Sequence, residues 1–260
     1  MAHPSTQPPP AAAALLEQAA RSFEQGRVEA GEALLVDHLR QHPGHVEAHL
    51  LLARGRLGQH NIDGAALAVD AALHAQPGHA GARLLGARIA LLQGQPLDAR
   101  TRLDELAAEL RPSADLAHDI AQLYMQLDLA AEAEPHFARA LALEPGNTGY
   151  LYNHATALIA LGRLDEAERA LDTVITREPR DHDAWYNRST LRHQTRQHNH
   201  VEAIESQLRQ PGTPAPARVA LGYALAKERE DLGDHAAAFD ALKKAADTRR
   251  SMLAYRVQDD

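Results

Sequence analysis

The chain contains no cysteine among its 260 residues. That absence excludes disulfides, thiolate metal sites and a cysteine nucleophile. Aromatic residues make up only 4%, against 45% hydrophobic residues overall, so the apolar side is mostly Ala and Leu. Such a mix suits closely spaced helices and disfavours β-sheet. No apolar run approaches the ~18 residues that read as a bilayer span, so no membrane partner is expected. Positive charge is also in short supply, with 27 Lys and Arg against 35 Asp and Glu and a net charge of −8. A phosphate backbone would be repelled without a strong local basic face, and no nucleic-acid partner is expected. The opening MAHPSTQPPPAAAALL lacks a basic n-region, and its prolines stand where the apolar core of a secretory signal should begin. Residues 1–10 read as a tail, and a cytoplasmic location is the expectation.

Catalytic motifs are missing too. There is no Gly-rich phosphate loop between a strand and a helix, no G-x-S-x-G elbow and no H-E-x-x-H pair. No catalytic residue, cofactor or metal site is therefore expected, and the chain by itself is read as a non-enzyme.

What is present is a period. Steps of 34 residues connect Pro43, Pro77, Arg111 (followed by Pro112), Pro145 and Pro179. The same step connects Ala19, Ala53, Ala87, Ala121, Ala155 and Ser189, and also Gly31, Ala65, Ala99, Ala133 and Ala167. A larger column runs Leu35, Val69, Leu103, Phe137 and Leu171. Small residues let two antiparallel helices approach, and the larger column fills the space between one pair and the next. Gly26, Gly94 and Gly162 fall at the turn inside each pair, where φ > 0 is often needed. The second unit carries His60 and Asn61 at that turn instead. Each proline ends a second helix.

These columns resemble the tetratricopeptide repeat, whose period is ~34 residues. The fourth unit, with Ala121, Tyr124, Ala133, Phe137, Ala140 and Pro145, and the fifth, TGYLYNHATALIALGRLDEAERALDTVITREP, carry the likeness best. The resemblance covers roughly residues 12–250. It implies an all-α fold, a right-handed α-solenoid of about seven helix pairs. Units one to six are placed at 11–210, a Pro-rich linker at 211–216, a seventh pair at 217–255 and a tail at 256–260. In the seventh pair Ala226, Gly233, Ala238, Leu242 and Ala245 take the column positions. Ser189 and Ala226 lie 37 residues apart, an insertion of about three against the period.

The family binds extended peptides on its concave face, lined by the first helix of each pair. LYNHAT and WYNRST align at the period, pairing Tyr152 with Tyr186, Asn153 with Asn187 and Thr156 with Thr190. Asn offers donor and acceptor together, and Tyr adds flat area with a polar tip, so these six residues are candidate peptide contacts. They also fit the repeat's own packing, since other units carry Leu51, Leu85 and Asp119 at the Asn position. Arg54 and Arg88 lie one period apart on the same inner register. A protein or peptide partner is the expectation, and self-association through the array's ends is another.

The sixth unit drifts. Residues 191–205 read LRHQTRQHNHVEAIE, with His193, His198 and His200 close in sequence. The register places a turn at 195–198 and a capping box from Asn199 to Glu202. The three histidines then share no regular ligand geometry, and a zinc site needs three or four converging ligands. Arg188, Arg192, His193, Arg196 and His198 read either as a basic patch or as a solvated face. Trp185, LRHQT at 191–195, NHV at 199–201, ALAKEREDLGDHAAAFDALKKAADTRR at 224–250 and Tyr255 together resemble the region before the catalytic domain of bacterial TPR–sulfotransferase fusion proteins. That likeness implies a scaffold that forms the N-terminal module of a sulfotransferase-type protein. The competing implication is a subunit of a PAPS-dependent sulfotransferase whose phosphosulfate loop and base lie beyond residue 260. No catalytic residue is carried over.

Overall fold

Six helix starts among the described residues are written into side chains. Asn61, His79, Ser113, Asn147, Asp181 and Asp234 each accept a backbone N–H from the first turn of the helix they precede. These bonds satisfy donors that no intrahelical carbonyl can reach. The computed structural model describes residues 10–109 and 113–253. Of the expected tails at 1–10 and 256–260 all but Pro10, and the Arg111–Pro112 step of the proline column, lie outside the described residues. Within them the chain is all-α, with fourteen helices and no named strand. They fall in two compact units, 1–128 and 129–260.

The first unit holds α1 (Pro10–Glu24), α2 (Val28–Gln41), α3 (Val46–Gly58), α4 (Ile62–Ala75), α5 (Ala80–Leu92), α6 (Pro96–Glu109) and α7 (Ala114–Gln126). Consecutive helices pack as hairpins, α1 on α2, α3 on α4 and α5 on α6. The small columns are buried at these contacts: Ala19, Ala53 and Ala65 expose nothing, and Ala87 and Ala99 only 1%. Leu35, Val69 and Leu103 fill the space between them. Overfilling such a site with extra methylenes costs about 1–3 kcal/mol.

Residues in the left-handed region recur at the period. These are Gly26, His60, Gly94, Asp128 and Gly162, at φ values from 58° to 73°, each 34 residues after the last. At Gly26, His60, Gly94 and Gly162 the next amide bonds back five residues, as Gln95 does to the Ala90 carbonyl and Asn61 to that of Arg56. His60 and Asp128 hold this conformation despite a Cβ, so the backbone of the repeat overrides local preference.

The second unit holds α8 (Ala130–Leu143), α9 (Thr148–Ala160), α10 (Leu164–Arg177), α11 (His182–Thr190), α12 (Val201–Leu208), α13 (Ala215–Asp231) and α14 (His235–Ser251). Its core gathers Leu158, Leu171, Val174, Trp185, Ile204 and Leu221. Regular packing lasts through α10. Then α11 and α12 shrink to nine and eight residues, and a single antiparallel bridge from Thr195 to His198 replaces the left-handed turn. The long α13 packs against α11, α12 and α14. It begins at Ala215, with Pro216 in its first turn, where a missing N–H leaves no bond unmade. Close approach of α13 and α14 depends on Gly222, where a Cβ would meet that of Ala245 at 2.8 Å.

Two expectations change here. α12 starts one residue after His200, which makes no side-chain cap, and Asn199 instead accepts the amide of Val201, so the capping box does not form. Leu242 is 45% exposed and is not a core residue, because no element among the described residues covers that face of α14. None of the described helices is long and apolar enough to cross a membrane.

Candidate functional site

In the first unit the period brings Arg54 and Arg88 to one groove. It has a volume of about 520 Å³ and runs along α3, α5 and the start of α7. Leu57, Leu84 and Leu85 supply its apolar surface, and Asp115 and Asp119 its acidic side. Neither arginine has a hydrogen-bonding or ion-pair partner among the described residues. An arginine without an internal partner presents all five N–H donors outward, in a fork that matches a carboxylate. The step of 34 from Arg88 lands on Gln122, so the cationic row stops after two units. The same step from Leu85 lands on Asp119. That residue lines the groove, although its column was singled out for asparagine.

The six residues of the aligned LYNHAT and WYNRST segments lie in the second unit, on α9 and α11. Asn187 Nδ2 donates to the Tyr152 hydroxyl at 2.8 Å, so two of the six hold each other across adjacent first helices. Burial, joined by the charges of Asp183 and Asp181, pushes the Tyr152 phenol above its ordinary range. The phenol therefore stays protonated and keeps both donor and acceptor capacity. The hydroxyls of Thr156 and Thr190 bond carbonyls of their own helices, those of Tyr152 and Asn187. Tyr186 stands 39% exposed. Asn153 is half-buried.

The charged run of the sixth unit is not an open basic patch. Arg188 is buried, sits 4.7 Å over the Trp185 ring and donates to Asp172 at 2.8 Å, while its Nε and Nη2 find no partner. Arg192 bonds Asp165 at 2.8 Å and Glu168 at 3.0 Å. His198 Nε2 meets Glu168 Oε1 at 2.9 Å. Local acidic groups consume Arg188, Arg192 and His198, while Arg196 stays exposed.

Two carboxylates on α13 tie the drifted segment down. Glu228 is fully buried and accepts from Ser189 Oγ at 2.6 Å and from the His200 amide at 2.5 Å. Its Oε1 also lies 3.0 Å from His200 Nδ1. Burial alone would raise its pKa, but these hydrogen bonds outweigh that and hold the carboxyl below its ordinary range. Asp231 accepts from the Gln194 amide at 2.7 Å and from Lys227 Nζ at 2.5 Å, and it too is held low. No spacing rule pointed to either residue.

Comparisons with known proteins agree with this architecture. Family models described as tetratricopeptide repeat match residues 50–115 and 124–188, together half of the chain. No curated protein matches it. Among solved structures, a tetratricopeptide repeat protein from Parabacteroides merdae is 20% identical, with a TM-score of 0.59 over 94% of this chain and 93% of its own. PilF of Pseudomonas aeruginosa is 17% identical, with a TM-score of 0.58 over 94% and 92%. YrrB, described as a TPR protein with an unusual peptide-binding site, is 18% identical, with a TM-score of 0.52 over 80% and 97%. At these identities the likeness is one of fold.

Proposed function

The chain belongs to the tetratricopeptide repeat family, and on that premise we propose that it is a scaffold binding an extended peptide or protein segment. The observation that carries this reading is the groove holding Arg54 and Arg88, two unpartnered guanidinium groups beside leucines. An acidic side chain or terminal carboxylate pairs with the arginines, and apolar neighbours cover Leu57, Leu84 and Leu85. Asp119 rejects an acidic residue at the far side, which gives the segment a direction. In the second unit Tyr152, Asn153, Thr156, Tyr186, Asn187 and Thr190 form a further proposed contact row, with Asn187 Oδ1 offered to a peptide amide while its nitrogen holds Tyr152. The proposed setting is the cytoplasm.

The test is fluorescence anisotropy with a panel of labelled extended peptides that differ in acidic content. The acidic members should bind, and the double variant Arg54→Ala, Arg88→Ala should weaken them about tenfold or more, the scale of a lost charge-assisted bond. Equal binding by that variant would overturn the groove. Asn153→Ala with Asn187→Ala tests the second row in the same assay.

A second reading rests on the segment resembling sulfotransferase fusions, whose quoted residues interlock through His200 with Glu228 and Gln194 with Asp231. In it the chain is the N-terminal module of a sulfotransferase-type protein and presents or recognises the acceptor. The alternative is that it contributes to a PAPS-dependent enzyme whose catalytic domain lies outside this chain. Reading the gene past codon 260 separates them: a strand leading into a phosphate loop favours the enzyme, and a stop codon favours the scaffold alone. Self-association through the array's ends predicts a sedimentation coefficient that rises with concentration, and a constant monomer value removes it.

A further inference from the structure

Among the described residues, one group of three His or carboxylate side chains brings its donor atoms within 4.8 Å of one another: Glu168, His198 and His200. Glu168 comes from α10, and the two histidines come from the segment between α11 and α12. His193, the third histidine of that stretch, turns away, 75% exposed and near Asp231. We propose that Glu168, His198 and His200 bind a divalent transition ion of the zinc class, with water completing the coordination.

The donor chemistry selects the ion. Two imidazole nitrogens and one carboxylate oxygen suit zinc and its neighbours, whereas calcium and magnesium demand oxygen. Each donor is also oriented from behind, as metal ligands generally are. The buried Glu228 engages Nδ1 and the backbone amide of His200, which leaves Nε2 as the ring's unbonded nitrogen. Arg192 holds Oε2 of Glu168 at 3.0 Å and leaves Oε1 toward His198. The bridge between Thr195 and His198, at 2.9 and 3.1 Å, fixes the backbone that carries His198. The His198 and His200 rings meet edge-on, with centroids 5.6 Å apart, so neither covers the other's nitrogens. Exposure is graded in a useful direction. Glu168 and His200 are 12% and 16% exposed and form the floor, while His198, at 56%, leaves a way in for the ion and its water. The hydrogen bond between His198 and Glu168 is the link the ion replaces, with small shifts of donors that already lie within 4.8 Å of one another.

The sixteen histidines of the chain make a control necessary. The sharpest competitor is His38, His42 and His45, where His38 Nε2 lies 2.6 Å from His45 Nδ1. The experiment is calorimetric titration of the full chain with zinc, repeated with cobalt so that its visible absorption reports coordination. One equivalent should bind. His198→Ala should lower its affinity by at least the about 10–100-fold typical of losing even an outer-shell partner. Glu168→Gln should weaken it as well, His42→Ala should leave it unchanged, and magnesium should not compete. His198 is exposed, so its variant is expected to fold, and unchanged circular dichroism checks this. No zinc binding, zinc binding untouched by His198→Ala, or loss with His42→Ala would each overturn the proposal.

Discussion

Between Val46 and Glu109 the chain repeats itself faithfully; between His182 and Asp231 it does not. In the first stretch each helix pair closes through a left-handed turn, the small columns vanish into the contacts, and the inner arginines Arg54 and Arg88 remain without partners. In the second α11 and α12 shorten, a bridge replaces the turn, and Arg188, Arg192 and His198 are all bonded to acidic groups. Regular repeats stabilise themselves through apolar contacts with their neighbours, which leaves polar inner positions free for a ligand. A drifted repeat loses some of those contacts, and a buried polar network takes their place. The two regions therefore differ in what their charges are for.

Mutation can break that contrast at several depths. The largest expected effect is in the regular region, where Leu103→Ala should lower stability by about 2–5 kcal/mol through a cavity, read from urea unfolding. In the drifted region Glu228→Ala should cost about 3 kcal/mol, because the Ser189 hydroxyl and the His200 amide lose their buried acceptor. An unaffected midpoint would mean that the network does not hold the segment. The arginines give a paired test. Arg188→Ala removes a buried side chain stacked on Trp185 and should cost about 2 kcal/mol, while Arg88→Ala should stay within about 0.5 kcal/mol and act only on binding.

A pH series sharpens the same contrast. Asp231 is held below its ordinary value of 3.8 in the fold, so it contributes stability at higher pH. That contribution should be lost as pH falls through 3.8 toward the lowered folded value. Asp231→Asn should flatten that acid limb, measured as the unfolding midpoint against pH; an unaltered slope would remove Asp231 as its source. The smallest stabilising effect belongs to the turns. His60→Gly and Asp128→Gly relieve a Cβ at positive φ and should each raise stability by about 0.5–1 kcal/mol, whereas the same substitution outside a left-handed turn should lower it.

The helical periodicity and the buried columns were legible because each repeat contacts mainly its neighbours, so a local pattern carries the packing. Ala53, Ala87, Leu103 and Phe137 could be placed in the core from spacing alone. Arg54 and Arg88 could be placed on one face by the same logic, but not the acidic side that Asp115 and Asp119 give their groove. Asn187 and Tyr152 could be aligned, but not seen to bond each other. The histidines of residues 191–205 were visible as a cluster, yet their carboxylate partners were not. Glu168 and Glu228 lie 30 and 28 residues from His198 and His200 respectively, and neither separation follows the period.

The amino-acid sequence by itself therefore determined a helical repeat, its core columns, its turns and its lack of a recognisable catalytic motif. Those properties follow from short-range regularity, summed unit by unit. Only the tertiary structure decided which charges are spent inside the fold and which face outward. Hydrogen bonds and ion pairs act over a few ångströms and require their partners to converge, and where the repeat drifts, that convergence is set by the packing of α10, α11 and α13.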